Sequence, residues 1–216
     1  MADEVEICNL ALSNIRAGSI NSFTESSLQA QNCKLKYAFM RDRCLKESWD
    51  FNRTIAALAT IEVTIYNWAY AYSYPANCLK IHRIIPEYEE ITGDASVVSR
   101  LIDTQVLPIS AYRRQVPHEI FNFSNVKVIG CNETTLYIDY AKKVEDPNLF
   151  SDDFILALSH LLASEIAVPL VGAEKGRQLR SDSLQLYESY INSAAVDDSN
   201  ESFLESNDSE FVTVRR

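Results

Sequence analysis

The feature that most constrains the fold of this chain is a change of periodicity that occurs twice along it. Apolar residues recur at helical spacing near both ends, whereas the middle is rich in β-branched and aromatic residues broken by proline and glycine. The helical stretches are residues 4–17, 25–49, 151–168 and 174–195, and the β-rich stretch is 53–141. The pattern predicts an α+β fold, a helical bundle built from both chain ends with a central β-rich insertion.

The same boundaries divide the chain into three parts. Residues 1–50 and 150–196 are predicted to form a discontinuous helical bundle, 51–149 a β-rich domain, and 197–216 an acidic C-terminal extension. The extension is rich in serine and carries six acidic residues against Arg215 and Arg216. Such a segment cannot bury enough apolar surface to fold alone, so we expect it to be disordered unless something outside the chain holds it.

Local signals give the expected ends and faces of the helices. Thr24 is a plausible N-cap for the second helix and Ser151 for the third, while Pro169 should end the third because it lacks an N–H group. The second helix is expected to bury a stripe of apolar residues: Leu28, Leu35, Phe39, Cys44 or Leu45, and Trp49. Its basic residues then occupy a solvated or intersubunit face: Lys34, Lys36, Arg41, Arg43 and Lys46.

Short strands are predicted where β-branched and aromatic residues cluster. They fall at residues 54–58, 68–74, 79–85, 126–129 and 135–140. The last two read as a hairpin with Gly130 and Asn132 in its turn. Residues 87–117, which contain Gly93, Pro108 and Pro117, are expected to be looped or irregular.

Charge and cysteine content exclude several classes of function. The chain has 20 basic and 30 acidic residues, a net charge of −10, which argues against DNA binding by charge neutralisation but permits a surface past which DNA slides. Its five cysteines show no C-x-x-C pair and its N-terminus no signal peptide, so reduced thiols in a cytosolic setting are expected. No apolar run approaches the ~20 residues of a membrane span, so no membrane anchor is predicted.

Catalytic signatures are sparse. The sequence contains no P-loop, no G-x-G-x-x-G and no G-x-S-x-G. None of the three histidines has a second metal-type ligand at helical or hairpin spacing, so neither a metal site nor a cofactor is predicted. Aromatic residues in 68–74 could stack on single-stranded nucleic acid, but a structural role is favoured because no basic groove flanks them.

Four segments taken in order resemble one known family. They are Ile7-Cys-Asn-Leu-Ala-Leu-Ser-Asn-Ile-Arg-Ala-Gly18, the Arg41-Asp-Arg-Cys-Leu…Trp49-Asp-Phe helix exit, Tyr72-Ser-Tyr-Pro-Ala-Asn-Cys-Leu-Lys80, and Leu136-Tyr-Ile-Asp-Tyr…Phe154…Leu161-Leu-Ala…Ile166-Ala-Val-Pro-Leu170. Together they resemble the podovirus-type phage tail adaptors, also called tail tubular protein A or head-to-tail connectors. Asn77 and Lys80 depart from the acidic and arginine residues expected there. The resemblance spans residues 7 to about 195 and does not reach the extension.

The resemblance implies a structural virion protein, not an enzyme. It implies a homo-oligomeric ring, dodecameric in such adaptors, that joins the portal protein to the tail nozzle or tail fibre proteins in the virion tail and is assembled in the host cytoplasm. DNA would pass through the lumen without specific binding. The extension would dock on the portal through residues along an acidic strap: Phe203, Leu204, Phe211, Val212, Arg215 and Arg216.

Ring closure needs two different, complementary faces on each subunit. Charge asymmetry suggests that Lys34, Arg41 and Lys46 lie on one face and Asp152, Asp153 and Glu188 on the other. Two alternatives stay open from the sequence. One is a non-viral scaffold or binding module with an acidic interaction tail, and the other is a hydrolase using Asp152 and Asp153 or His118 and Glu119.

Overall fold

Helices and antiparallel strands occupy separate blocks of the chain, which confirms the predicted α+β class. The computed structural model describes residues 3–47, 49–86, 99–102, 105–108 and 116–201, with side chains in those ranges except at 86, 99–102, 105–108 and 195–201. In this part of the chain the helices are α1 Glu4–Asn14, α2 Leu28–Cys44, α3 Asp152–Val171 and α4 Ala173–Glu201. Helix α4 therefore continues past residue 195, where the last helix was expected to end.

Helix α3 is the central element of the helical core. It packs against α1, α2 and α4, and one hydrophobic cluster contains residues from all four helices. An 18-residue window of α3 has a mean hydropathy of 1.9, so by length and composition this helix could cross a membrane, contrary to the sequence-based expectation. However, 56% of that window is buried inside the protein, as is usual for the core helix of a globular domain.

The strands form two main antiparallel sheets and one separate hairpin. The first sheet has the order β1-β9-β4, the second β2-β3-β8-β7, and β5 pairs only with β6 among the described strands. A second hydrophobic cluster takes residues from both main sheets, such as Ile138 and Tyr72. The strand bounds are β1 Arg53–Ala57, β2 Thr60–Ile61, β3 Tyr70–Ser73, β4 Cys78–Pro86, β5 Ser99–Ile102, β6 Gln105–Pro108, β7 His118–Phe123, β8 Val126–Cys131 and β9 Leu136–Lys142.

The hairpin predicted between the last two strands is wrong. Strand β8 pairs with β7 and β3, whereas β9 lies in the other sheet between β1 and β4. The tight turn instead joins β7 to β8 at Ser124 and Asn125, which both have positive φ, as a two-residue hairpin loop requires. Strands β5 and β6 also lie inside residues 87–117, which were predicted to be irregular; the rest of that stretch, apart from 116 and 117, is outside the described residues.

Gly130 belongs to strand β8 and not to a turn. It pairs with Ala71 on one side and Glu119 on the other. A Cβ atom here would lie 2.8 Å from the indole of Trp68 and 2.9 Å from the ring of Phe121. The glycine is therefore explained by the close approach of two aromatic rings to the strand, a cause that local sequence does not show.

Helix α2 starts later, and faces the other way, than the sequence predicted. Ser27 is its N-cap, with its hydroxyl accepting from the Ala30 N–H, so Thr24 is not the cap. The packed face is made of smaller or polar-tipped residues: Ala30, Cys33, Tyr37, Met40 and Cys44. Of the predicted stripe, Cys44, Leu45 and Trp49 are buried, but Leu28, Leu35 and Phe39 are exposed. Small residues allow α2 to lie close to the core, which the expectation based on side-chain size missed.

Pro169 does not end helix α3, which continues to Val171 and stops at Gly172 with φ of 98°. Because proline has no N–H, the carbonyl of Glu165 loses its usual partner four residues on. The ammonium of Lys36 on α2 donates to this carbonyl instead, at 2.5 Å. A charged donor from a neighbouring helix therefore makes the proline tolerable within the last turn.

We expect Lys36→Met to lower the free energy of unfolding by about 1–2 kcal/mol, because it leaves the Glu165 carbonyl without that donor. Chemical denaturation monitored by far-UV circular dichroism measures the change. Lys34→Met, an exposed lysine two residues earlier on the same helix, is the matched control and should change stability by less than about 0.5 kcal/mol. Equal effects of the two substitutions would contradict the role of Lys36.

Candidate functional site

The ring-interface residues suggested by charge do not all lie at the surface. Lys34 and Lys46 on and after α2, Asp152 and Asp153 at the start of α3, and Glu188 on α4 are exposed. Arg41 is only 5% exposed, so its expected place on a solvated face is wrong. Its side chain cannot be a free surface charge of the single subunit.

Arg41 is buried because it belongs to an ionic cluster between α2 and the segment that follows β9. Its guanidinium donates to Asp42 at 2.9 and 3.0 Å and to Glu145 at 3.3 Å. Lys143 completes the cluster, 2.8 Å from Glu145 and 3.5 Å from Asp42. Lys143, followed by Arg41, lowers the pKa of Glu145, and Glu145 in turn raises the pKa of Lys143. The cluster connects the helical core to the β-rich part.

The outer face of α2 is the most apolar exposed surface of the helical core. Leu28, Leu35 and Phe39 are 55%, 77% and 70% exposed, and their spacing of seven and four residues puts them on one stripe. The stripe lies opposite the packed face of the helix. Burying each of these side chains would contribute roughly 1–2 kcal/mol, given the exposed fraction and the usual value for a large apolar side chain. An exposed apolar stripe of this kind is typical of interaction surfaces.

The outer face of α1 differs in charge from the outer face of α2. Leu10 is 42% exposed, and Glu6, one turn earlier, is exposed as well. Together with Asn9 they border a shallow depression of about 430 Å³, and Ile7 beneath it is fully buried in the helical core. An exposed leucine next to an acidic residue therefore marks α1, whereas α2 carries a projecting apolar stripe.

Of the two pairs considered for hydrolysis, His118 and Glu119 do not face each other, and Asp152 and Asp153 are exposed at the start of α3. His118 and Glu119 are consecutive in strand β7, so their side chains point to opposite faces of the sheet. Glu119 accepts from the indole N–H of Trp68 at 3.3 Å, and Nδ1 of His118 lies 2.9 Å from the carbonyl of Val116. Among the side chains that the structure describes, no group of three His, Cys, Asp or Glu residues is placed to hold a metal ion.

His160 lies at the junction of three helices. Its ring stacks on Tyr190 of α4 at 5.5 Å between centroids, and its Nδ1 lies 3.4 Å from the side-chain nitrogen of Asn14, the last residue of α1. Burial lowers the pKa of His160, and burial likewise lowers the pKa of His82 in strand β4. Both imidazoles are therefore favoured in the neutral form in the folded protein.

We expect the protein to lose stability as the pH falls from 7.5 to 5.5. The unfolded chain takes up protons at these histidines near pH 6.5, whereas the folded chain does so only at lower pH, so acid favours the unfolded state in this window. Thermal melts at several pH values measure the slope. His160→Gln should flatten it, because it removes one of the two groups whose pKa is lowered by burial. An unchanged slope in His160→Gln would contradict the assignment.

The aromatic residues between positions 68 and 74 have mainly structural surroundings. Tyr72 is fully buried and its hydroxyl donates to the carbonyl of Glu133 at 2.6 Å. Trp68 covers Gly130, and the ammonium of Lys127 lies 5.1 Å from the ring centroid of Tyr74. These contacts favour the structural interpretation over a stacking platform for nucleic acid.

The six portal-interface candidates, Phe203, Leu204, Phe211, Val212, Arg215 and Arg216, lie outside the described residues. A scan of the chain against models of known protein families and a search of curated proteins both found no match. The resemblance to phage tail adaptors therefore depends only on the four sequence segments given above. The candidate site is the exposed apolar surface of the helices.

Proposed function

We propose that this chain is a structural virion protein, an adaptor ring that joins the portal to the tail nozzle and gives passage to DNA. The observation that carries the proposal is the exposed apolar stripe Leu28, Leu35 and Phe39 on the helical core. A subunit that leaves this surface uncovered is suited to assembly. The resemblance to the tail adaptor family suggests that this assembly is a ring.

In this proposal the helices form a bundle from both chain ends and build the ring, while the β-rich insertion meets tail components. The shared hydrophobic cluster of α1 to α4, from sequence segments separated by the strands, supports this division. The net charge of −10 suits a lumen through which DNA passes without binding tightly. No cofactor is required, and the proposed location is the virion tail after assembly in the host cytoplasm.

The acidic extension is proposed to dock on the portal. It would fold on binding, with Phe203, Leu204, Phe211 and Val212 as apolar anchors and Arg215 and Arg216 near its end. Helix α4 continues to Glu201, so the extension would start from the end of a long helix. A deletion of residues 202–216 therefore removes the anchors and leaves the helix intact.

Electron microscopy of the purified chain, alone and mixed with the portal of the same virus, tests the proposal. We expect closed rings, alone or on mixing, and portal-bound rings for the full chain. The 202–216 deletion should still form rings but attach to the portal at least about tenfold more weakly, the effect of losing about 1.4 kcal/mol. A chain that stays monomeric in both samples would overturn the adaptor function, and normal attachment of the truncated chain would overturn the docking role of the extension.

A further inference from the structure

We infer that the outer face of α2 in one copy of this chain binds the outer face of α1 in the next copy. The inference rests on the proposed ring and names the two surfaces that would build it. The two surfaces are different, so the contact is heterologous and repeats in the same sense from copy to copy. Such a contact closes into a ring when the rotation between copies permits it.

The α2 side of the contact is a projecting apolar stripe that ends in positive charge. Leu35 and Phe39, 77% and 70% exposed, form its centre. Arg43 and Lys46, both exposed, follow Phe39 at spacings of four and seven residues and extend the same side of the chain. The stripe therefore offers large side chains for burial next to two cations.

Asp42, which precedes Arg43 in sequence, does not cancel this charge. Asp42 is bound to Arg41 at 2.9 Å and lies 3.5 Å from Lys143. Its negative charge is thus matched inside the ionic cluster. Arg43 and Lys46 remain as the cations for which the described residues show no salt bridge within the chain.

The α1 side has the opposite character. Leu10 is 42% exposed, and Glu6 beside it and Asp3 at the start of the helix are exposed as well. The Glu6 carboxylate accepts from the N–H of Asp3 at 3.0 Å, a neutral donor that leaves its negative charge in place. The apolar stripe can pack on Leu10, and the cations can pair with the two carboxylates. Contact between these faces would bury apolar area and pair opposite charges, which favours the correct partner and orientation.

Two α2 faces packed against each other do not offer the same match. In a parallel arrangement Arg43 and Lys46 would meet their own copies. In an antiparallel arrangement they would meet the first half of α2, which has no acidic residue between Leu28 and Arg41 and carries further lysines. A symmetric α2 dimer therefore leaves the cations unmatched, which favours the α2-to-α1 contact.

Sedimentation velocity of the full chain over a range of concentrations, with and without portal, tests the apolar part of the contact. We expect Leu35→Glu/Phe39→Glu to weaken assembly by more than about 100-fold, because it places two charges in a buried apolar contact. Leu10→Glu should have a similar effect. The matched control is Leu149→Glu, at a leucine that is 60% exposed but lies on neither face, and it should assemble like the wild type. Thermal melts of each variant serve to check that it is folded.

A charge exchange tests the pairing of the two faces. Arg43→Glu/Lys46→Glu should weaken assembly at least about tenfold, and adding Glu6→Lys should restore it to within about threefold of the wild type. Normal assembly of Leu35→Glu/Phe39→Glu would overturn the role of α2, and lack of restoration by Glu6→Lys would overturn the role of α1.

The outcomes separate this inference from the proposed function. Variants that still form portal-bound rings would overturn the inference and leave the adaptor function standing. Rings that depend on Leu35, Phe39 and Glu6 but never bind portal would support the inference and overturn the adaptor function. A wild-type chain that stays monomeric in every sample would overturn both.

Discussion

Replacing Phe154 by alanine is expected to lower the free energy of unfolding by about 4 kcal/mol. This side chain at the start of α3 is fully buried and touches three other aromatic rings. The ring centroids of Trp49, Phe51 and Phe150 lie 5.2, 5.1 and 4.6 Å away. Alanine buries less apolar area, makes none of the ring contacts and leaves a cavity in the core. Urea denaturation followed by tryptophan fluorescence and by circular dichroism measures the loss.

Two variants make this prediction specific. Phe154→Leu keeps most of the volume and should cost only about 1–1.5 kcal/mol. Phe39→Ala removes a phenylalanine that is 70% exposed and should change the stability of the monomer by less than about 0.5 kcal/mol. A loss below about 1.5 kcal/mol for Phe154→Ala would show that the aromatic cluster contributes little to the fold.

Arg53→Met is expected to destabilise the protein by about 3 kcal/mol. Asp139 in the middle of β9 is 1% exposed, and the Arg53 guanidinium binds both of its carboxylate oxygens, with Nε at 2.9 and 3.1 Å. Removing one partner of a buried pair leaves a desolvated charge, which costs about 3–5 kcal/mol. Arg83 lies opposite Asp139 in the register of β4 and keeps the expected loss at the lower end of that range.

A double variant shows whether the loss of stability comes from the missing arginine contacts or from the buried, unpaired carboxylate of Asp139. Arg53→Met/Asp139→Leu removes both charges and should regain most of the loss, because a buried ion pair and an apolar pair are often similar in stability. Arg177→Met, at an exposed arginine of α4, serves as the surface control. If Arg53→Met and the double variant were equally unstable, the cause would be packing and not the unpaired carboxylate.

Five of the nine described strands were predicted in position from the sequence, whereas their pairing was not. β1, β3, β4, β8 and β9 each overlap a predicted strand, because β-branched and aromatic clusters bounded by turn residues are local features. The predicted hairpin failed because Gly130 was taken as a turn residue. A glycine is needed at this position because the ring of Trp68, which is distant in sequence, packs against the strand there.

The candidate site also shows that local sequence predicts a pattern but not the tertiary contacts that the pattern makes. The sequence identified Leu28, Leu35 and Phe39 as one stripe, but it placed that stripe in the core. Cys33, a small residue, is buried in their place, and Arg41 is buried although it is charged, because Asp42 and Glu145 neutralise it. A large apolar stripe is a good signal for burial. Whether the burial occurs within the chain or against a partner depends on tertiary contacts.

The pairing of the first and last strands of the β-rich part has a consequence for the order of folding. Arg53 lies directly opposite Ala141, so the two ends of this long stretch are adjacent in the β1–β9 ladder. Helices α1 and α2 must find α3 and α4 across about a hundred residues, and closing so long a loop is entropically costly and slow. Once β1 and β9 are joined, the remaining search is between segments already held together. Because the ladder itself closes a loop of similar length, the two closures are coupled, and whichever forms first lowers the entropic cost of the other.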